Sequence, residues 1–305
     1  MYRRNLGIQR LQTLSRDFAL TQQAIKRSQL RVHVRGYGYD APPAEDSALL
    51  ARAVPYFSLE PPTEPGSLFD FVTSADSVVA EGGQVVERDH AAGVTSCFAS
   101  IVRFLTCLSI STSAILCWRR LAVLPTELAG IDLVTGDAKP VEIAPTGDIG
   151  GSQGPIHAGH LACAVDLFAR IGSWHSRFFQ LYQKGEMLLE VHEWPLLNFY
   201  EEAYLCFFKC LEFVVMDKML QRRGQLAPKR LAEAFRSIGA KAPDLQRVTA
   251  QLIADRGSKA AHMLRGYVEF SLSRQDPFEL KVKLDALIRG ATLGPAVAPH
   301  LEGAA

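Results

Sequence analysis

AYLCFFKCLEFVVMDKM, residues 203–219, is apolar on nearly every side of a helical projection, and only Lys209, Glu212, Asp217 and Lys218 carry charge. A helix that is apolar all round is enclosed by protein rather than laid on a surface. The pattern therefore predicts a buried helix over about residues 196–222, with other helices around it. Three more follow at helical spacing, over about 228–238, 244–264 and 276–289. Pro228 opens one of them, and Asp276 followed by Pro277 reads as a cap with proline at the first helical position. The short connections suit an antiparallel bundle. Upstream, AGHLACAVDLFAR predicts one further helix over 158–170.

The first half of the chain has a different period. LRVHVRGYGY, residues 30–39, alternates as a strand does, with Leu30, Val32 and Val34 on one side and Arg31, His33 and Arg35 on the other. Short β-prone pieces follow at 69–73, 77–80, 84–87, 131–135 and 140–143, separated by Gly, Pro and Asp. Residues 1–28 read as a weakly amphipathic helix. Ala144–Pro155, APTGDIGGSQGP, reads as a linker or exposed loop, and its glycines lack the GK[ST] ending of a phosphate-binding loop. The expected fold class is α+β. A mixed α/β domain over 1–150 precedes an α-helical domain over 156–295.

The chain has 305 residues, 48% of them apolar and 21% charged, the composition of a globular protein long enough for two cores. A formal net charge of +1 excludes any whole-chain attraction to polyanions, so only a local patch can supply one. Residues 201–290 hold 16 Lys and Arg against 11 Asp and Glu, an excess of five, whereas residues 1–150 hold 14 against 16. The helical half is the one expected to face nucleic acid. Six scattered cysteines in apolar contexts read as reduced thiols of a cytoplasmic protein. The opening residues lack the pattern of a secretory signal. Phe104–Trp118 is apolar but shorter than the roughly 20 residues that cross a bilayer, so a buried segment and no membrane association are expected.

Glu212 lies four residues from both Phe208 and Met216 on the most apolar helix, where a carboxylate is costly unless it is paired or opens to a groove. The partners the sequence offers are Arg256 and His262, in LIADRGSKAAHML on the helix predicted over 244–264. Six positions on a helix amount to about 9 Å of rise and roughly 120° of rotation, and a long arginine side chain can close that gap. A guanidinium fork holds a phosphate and an imidazole moves a proton near neutral pH, a pair suited to cleaving RNA through its 2′-hydroxyl without a metal. The same residues in a long helix also read as salt-bridged or core groups. His157 and His160 share a face but lack a third ligand at fixed spacing, and Cys206 and Cys210 lack any soft partner, so neither metal nor cofactor is expected.

The arrangement of a buried acidic helix followed by R-GSKAA-H, Arg256 to His262, resembles the HEPN superfamily, with Tyr204–Val215 similar to its buried helix and Glu212 at the acidic position. Within that superfamily it resembles the MauJ-like methylamine-utilisation accessory proteins, with an extra N-terminal region. The resemblance covers about residues 196–290. It implies a homodimer formed through the helical domain and a metal-independent endoribonuclease with Arg256, His262 and Glu212 as catalytic residues. It equally implies a non-catalytic accessory, scaffold or ligand-binding protein whose N-terminal region recognises a protein partner. Gly257 and Met263 depart from the residues that usually follow the arginine and the histidine in that family.

Overall fold

The computed structural model describes residues 25–43, 46, 57–64, 66–76, 78–81, 84–87, 89–128, 131–132, 141–143, 152–190, 199–240, 245–255 and 272–294. The fold is α+β. Its sheet is built on β1 (Ile25–Asp40), which pairs antiparallel on one side with β3 (Phe69–Asp76) and on the other with β6 (Ile115–Leu128). β2 (Ser58–Glu60) extends the β3 edge, and β7 (Ile131–Asp132) and β8 (Val141–Ile143) pair with β6. β9 (Ser152–Pro155) runs parallel to the end of β1. β4 (Val78–Glu81) and β5 (Gln84–Glu87) form a separate hairpin.

The strand expected of residues 30–35 is present, but its polar side is not open to solvent, since His33 and Arg35 are buried as well. Leu30, Val32 and Val34 are buried on the core face, opposite Thr73, Phe71 and Phe69 of β3. The strand starts earlier than its pattern suggests, because Ile25–Ser28 continue it and do not end a helix. Register shifts near Arg27 and after His33 let so long a strand bend with the sheet and obscure the two-residue period at its start. The loop expected over 144–155 likewise ends in a strand, β9, since Ile156 donates its amide to Asp40 and ties the segment to β1.

Seven helices are described. α1 (His90–Thr112) lies on the core face of the sheet, where Phe104 meets Phe71 with ring centroids 5.8 Å apart. On its other side Phe104 meets Phe168 of α2 (Ala158–Ile171). α3 (Ser176–Glu190) continues the aromatic chain, with Tyr182 edge-on to Phe207 of α4 (Tyr200–Glu212) at 5.6 Å. A Cβ on Gly185 would sit 2.8 Å from the Phe207 ring, so glycine is what allows α3 and α4 to come this close. α4 runs into a π-helical turn, Phe213–Met219, and is followed by α5 (Pro228–Ser237), α6 (Leu245–Asp255) and α7 (Gln275–Leu293).

Pro228 is indeed in the first turn of α5. Asp276 sits inside the first turn of α7 rather than before it, where its carboxylate accepts from both the amide and the hydroxyl of Ser273. One hydrophobic cluster runs from Val32 and Phe71 through Phe104, Phe179 and Phe207 to Ile288, so the core draws on both sides of residue 150.

Phe104–Trp118 divides into the end of α1, a turn with Ser113 in the left-handed region at φ 55, and the start of β6. α1 as a whole has the length and composition of a membrane-crossing helix, and half of that apolar window is buried within the protein. The hydroxyls of Ser109, Ser111 and Thr112 bond to carbonyls of the turn, and the Arg289 guanidinium from α7 donates to Ile110 O and to Ser113 Oγ. A cation thereby covers the negative end of α1.

Candidate functional site

Glu212 closes α4, half-buried, and its Oε1 accepts from the Leu226 amide at 3.4 Å. Its polar contact is thus with the loop that follows the π-helical turn. Arg256 and His262 lie outside the described residues. α6 reaches Asp255, the residue before the motif, and is held there by Tyr204 Oη donating to Leu252 O at 3.0 Å. Tyr204 and Glu212 are eight positions apart on α4, about 12 Å along its axis.

The loop shaped by Glu212 displays positive charge. Leu226 is its buried anchor, Gln221 and Gly224 take positive φ, and Arg230 Nη1 donates to the carbonyls of Arg223 and Gln225. With that guanidinium holding the loop from within, the side chains of Lys218, Arg222, Arg223, Lys229 and Arg236 are exposed. Between Asp217 and Ser237 there are six Lys and Arg against two acidic residues, Asp217 and Glu233. Lys218 Nζ lies 5.0 Å from the Phe213 ring centroid and 5.9 Å from that of half-buried Trp174, so aromatic faces border the basic surface.

A second constellation went unread in the sequence. Gln183, Glu186 and Glu190 of α3 are buried, as are Lys281, Asp285 and Arg289 of α7. Lys281 Nζ lies 2.8 Å from Asp285 Oδ2 and 3.7 Å from Glu186 Oε1, and Tyr182 Oη donates to Asp285 Oδ1 at 2.5 Å. Glu186 also meets Ser109 Oγ, the Leu116 amide at 3.3 Å and Gln183 Nε2 at 2.7 Å. Beside it, the Cys117 thiol donates to Glu190 Oε2, and Arg35 Nε lies 3.2 Å from the other carboxylate oxygen. Burial pushes the Glu186 carboxyl up to about 8 against the opposing pull of Lys281, and burial likewise raises Asp285 and Glu190. The available signal was the glutamate within F-F-x-x-Y-x-x-x-E-x-x-L, where an apolar helix face was due.

On the sheet face away from α1, His33 Nδ1 lies 2.7 Å from Asp70 Oδ1, whose other oxygen receives Arg31 at 2.9 Å and the amide and hydroxyl of Thr63. Arg120 pairs with Glu64 next to them. His33 and Asp70 are both buried, so the pair is a polar tie across the β1–β3 ladder. His157 and His160 stack with centroids 3.7 Å apart at the start of α2, where His157 Nδ1 accepts from the Gly159 amide and His160 Nδ1 from that of His157. Burial, then the neighbouring His157 and Arg289, holds His160 down at about 4. These imidazoles act as a helix cap, and His175 caps α3 similarly through the Arg177 amide. Among the described residues no three His, Cys, Asp or Glu side chains gather as a metal site, and all six cysteines are free thiols. His192 lies outside the described residues.

Comparison of the chain with protein-family models, with curated proteins and with solved structures finds no match.

Proposed function

We propose that this chain is a HEPN-like protein whose helical bundle engages RNA through the exposed basic surface between the π-helical turn and α5. The observation that supports this reading is the loop itself. Glu212 and Arg230 hold its backbone from inside while Lys218, Arg222, Arg223 and Lys229 are exposed; Lys218, paired with Asp217, borders Phe213 and Trp174, and Arg222 pairs with Glu233. Cations next to aromatic faces suit single-stranded RNA, whose phosphates take the charge and whose bases stack.

Cleavage in this reading belongs to Arg256 and His262. The 2′-hydroxyl loses its proton to a base and attacks the adjacent phosphorus. The bond to the 5′-oxygen breaks, that oxygen takes up a proton, and a 2′,3′-cyclic phosphate remains. Arg256 holds the phosphate oxygens, His262 moves a proton, and no metal takes part. The protein works as a homodimer through its helical half, in the cytoplasm and without a membrane, and its sheet-bearing region is left to a protein partner.

The test measures fluorescence anisotropy of a labelled single-stranded RNA as salt is raised. The wild type should show a logarithmic slope of about −0.7 per phosphate neutralised. Arg223→Glu combined with Lys229→Glu should weaken binding at least tenfold and flatten that slope. Equal binding by both proteins overturns the basic-surface reading. Incubation in EDTA with wild type and His262→Ala then tests cleavage by the appearance of cyclic-phosphate ends.

The second reading is a non-catalytic scaffold. It is favoured by the Glu212 carboxylate, which already accepts from the Leu226 amide and so serves the loop. RNA bound but left intact by the wild type selects it.

A further inference from the structure

Ser109 has one hydroxyl proton, and Ala114 O, Glu186 Oε1 and the Tyr182 hydroxyl, itself donated to Asp285, lie around it. Its Oγ lies 2.7 Å from Ala114 O, a carbonyl that can only accept, so the Ser109 proton is committed to that bond. The same Oγ is in hydrogen-bond contact with Glu186 Oε1. With its proton already used, Ser109 can only accept there, and the hydrogen between the two oxygens must come from the carboxyl group. The other side of Glu186 agrees. Gln183 Nε2 has two hydrogens, directed at Leu116 O at 3.1 Å and Glu186 Oε2 at 2.7 Å, so Oε2 is an acceptor and the acid proton belongs on Oε1.

We infer that Glu186 is an interior proton-binding site, carried as a neutral carboxylic acid in the folded protein, whose proton joins the α1–β6 turn to α3. Two donors oppose the neutral state, Lys281 Nζ at 3.7 Å and the Leu116 amide at 3.3 Å from Oε1, and the ammonium is closer to another carboxylate. From α7, Lys281 neutralises Asp285, which also receives the Tyr182 hydroxyl of α3, and Arg289 is taken up by Ile110 O and Ser113 Oγ at the end of α1. From β1 and β6, Arg35 and the Cys117 thiol face Glu190. From α4, the Cys210 thiol is directed to Phe178 O. Burial favours the same neutral state and places the loss of the proton near pH 8.

Loss of the proton leaves a carboxylate oxygen facing a hydroxyl oxygen with one hydrogen for two acceptors. Either the Ser109–Ala114 bond that closes the α1 turn or the Ser109–Glu186 bond between layers must open. The site is a pH-sensitive latch between the sheet and the helices, separate from the basic surface.

The test uses the full chain labelled with 13C at the glutamate carboxyl carbons. The Glu186 resonance, assigned by its loss in Glu186→Gln, should titrate with a midpoint above 7, and a midpoint below 7 overturns the inference. Folding stability is the second readout and needs no assignment. One extra proton held by the folded state changes the folding equilibrium by up to tenfold per pH unit. The wild type should therefore lose stability relative to Glu186→Gln from about pH 5 to 8, approaching tenfold per unit, and a ratio independent of pH refutes it.

Discussion

Lys281 is the residue whose removal tests the interior network most directly. It has no solvent exposure, and its ammonium sits 2.8 Å from Asp285 and 5.5 Å from the centre of the Tyr182 ring. Lys281→Met keeps the length and most of the volume of the side chain, so the change is one of charge. Asp285 would be left buried with only the Tyr182 hydroxyl at hydrogen-bond distance on its other oxygen. Breaking a buried pair in this way costs about 3–5 kcal/mol, a large part of the 5–15 kcal/mol that holds a typical domain together.

The pH dependence gives the loss its signature. The folded-state pKa of Asp285 is already raised by burial, and removing the cation raises it further. A raised carboxyl pKa means that the folded state holds more protons than the unfolded one, so stability is gained as pH falls and lost as it rises. The Lys281→Met deficit should therefore shrink between pH 7 and pH 5. Lys281→Met combined with Asp285→Asn should recover most of it at both. Urea unfolding followed by far-ultraviolet circular dichroism at the two pH values measures this. A deficit under about 1 kcal/mol at pH 7, or one that grows on acidification, would refute the account of Lys281 as the counter-charge of Asp285.

Gly185→Ala should lower stability by about 1–3 kcal/mol, because the added methyl meets the Phe207 ring in a packed interface. Thermal unfolding measures it, and an unchanged midpoint would show that α3 and α4 have room to spare. Glu212→Ala should raise amide hydrogen exchange over residues 220–227, whereas Glu212→Gln, whose side-chain carbonyl can still accept from Leu226, should leave it near wild type. Equal exchange in the two variants would remove the loop-positioning role of the carboxylate.

The elements that were legible are those whose pattern is local. The two-residue period of Leu30, Val32 and Val34 marks a strand, although both of its sides are buried at residues 32–35, and Pro228 marks the start of α5. α3 carries no such local mark, because Gln183, Glu186 and Glu190 occupy its buried side and blur its apolar face. α1 is legible only as part of a buried run, since its apolar stretch continues past the Ser113 turn into β6 with no break in composition.

The sequence by itself determined that residues 30–34 are a strand, that residues 203–219 are largely enclosed, and that positive charge gathers in the helical half. It also singled out Arg256, His262 and Glu212 as chemistry-bearing side chains. Only the tertiary structure decided which charges are interior. Lys281 and Asp285, four apart on a helix, have the spacing of an ordinary surface pair, yet both are fully buried. The proton on Glu186 is set by Ser109, 77 residues earlier, and by the carbonyl of Ala114 beyond it. Burial belongs to groups brought together from distant parts of the chain, so a local window that contains a pair such as Lys281 and Asp285 does not show whether it lies inside.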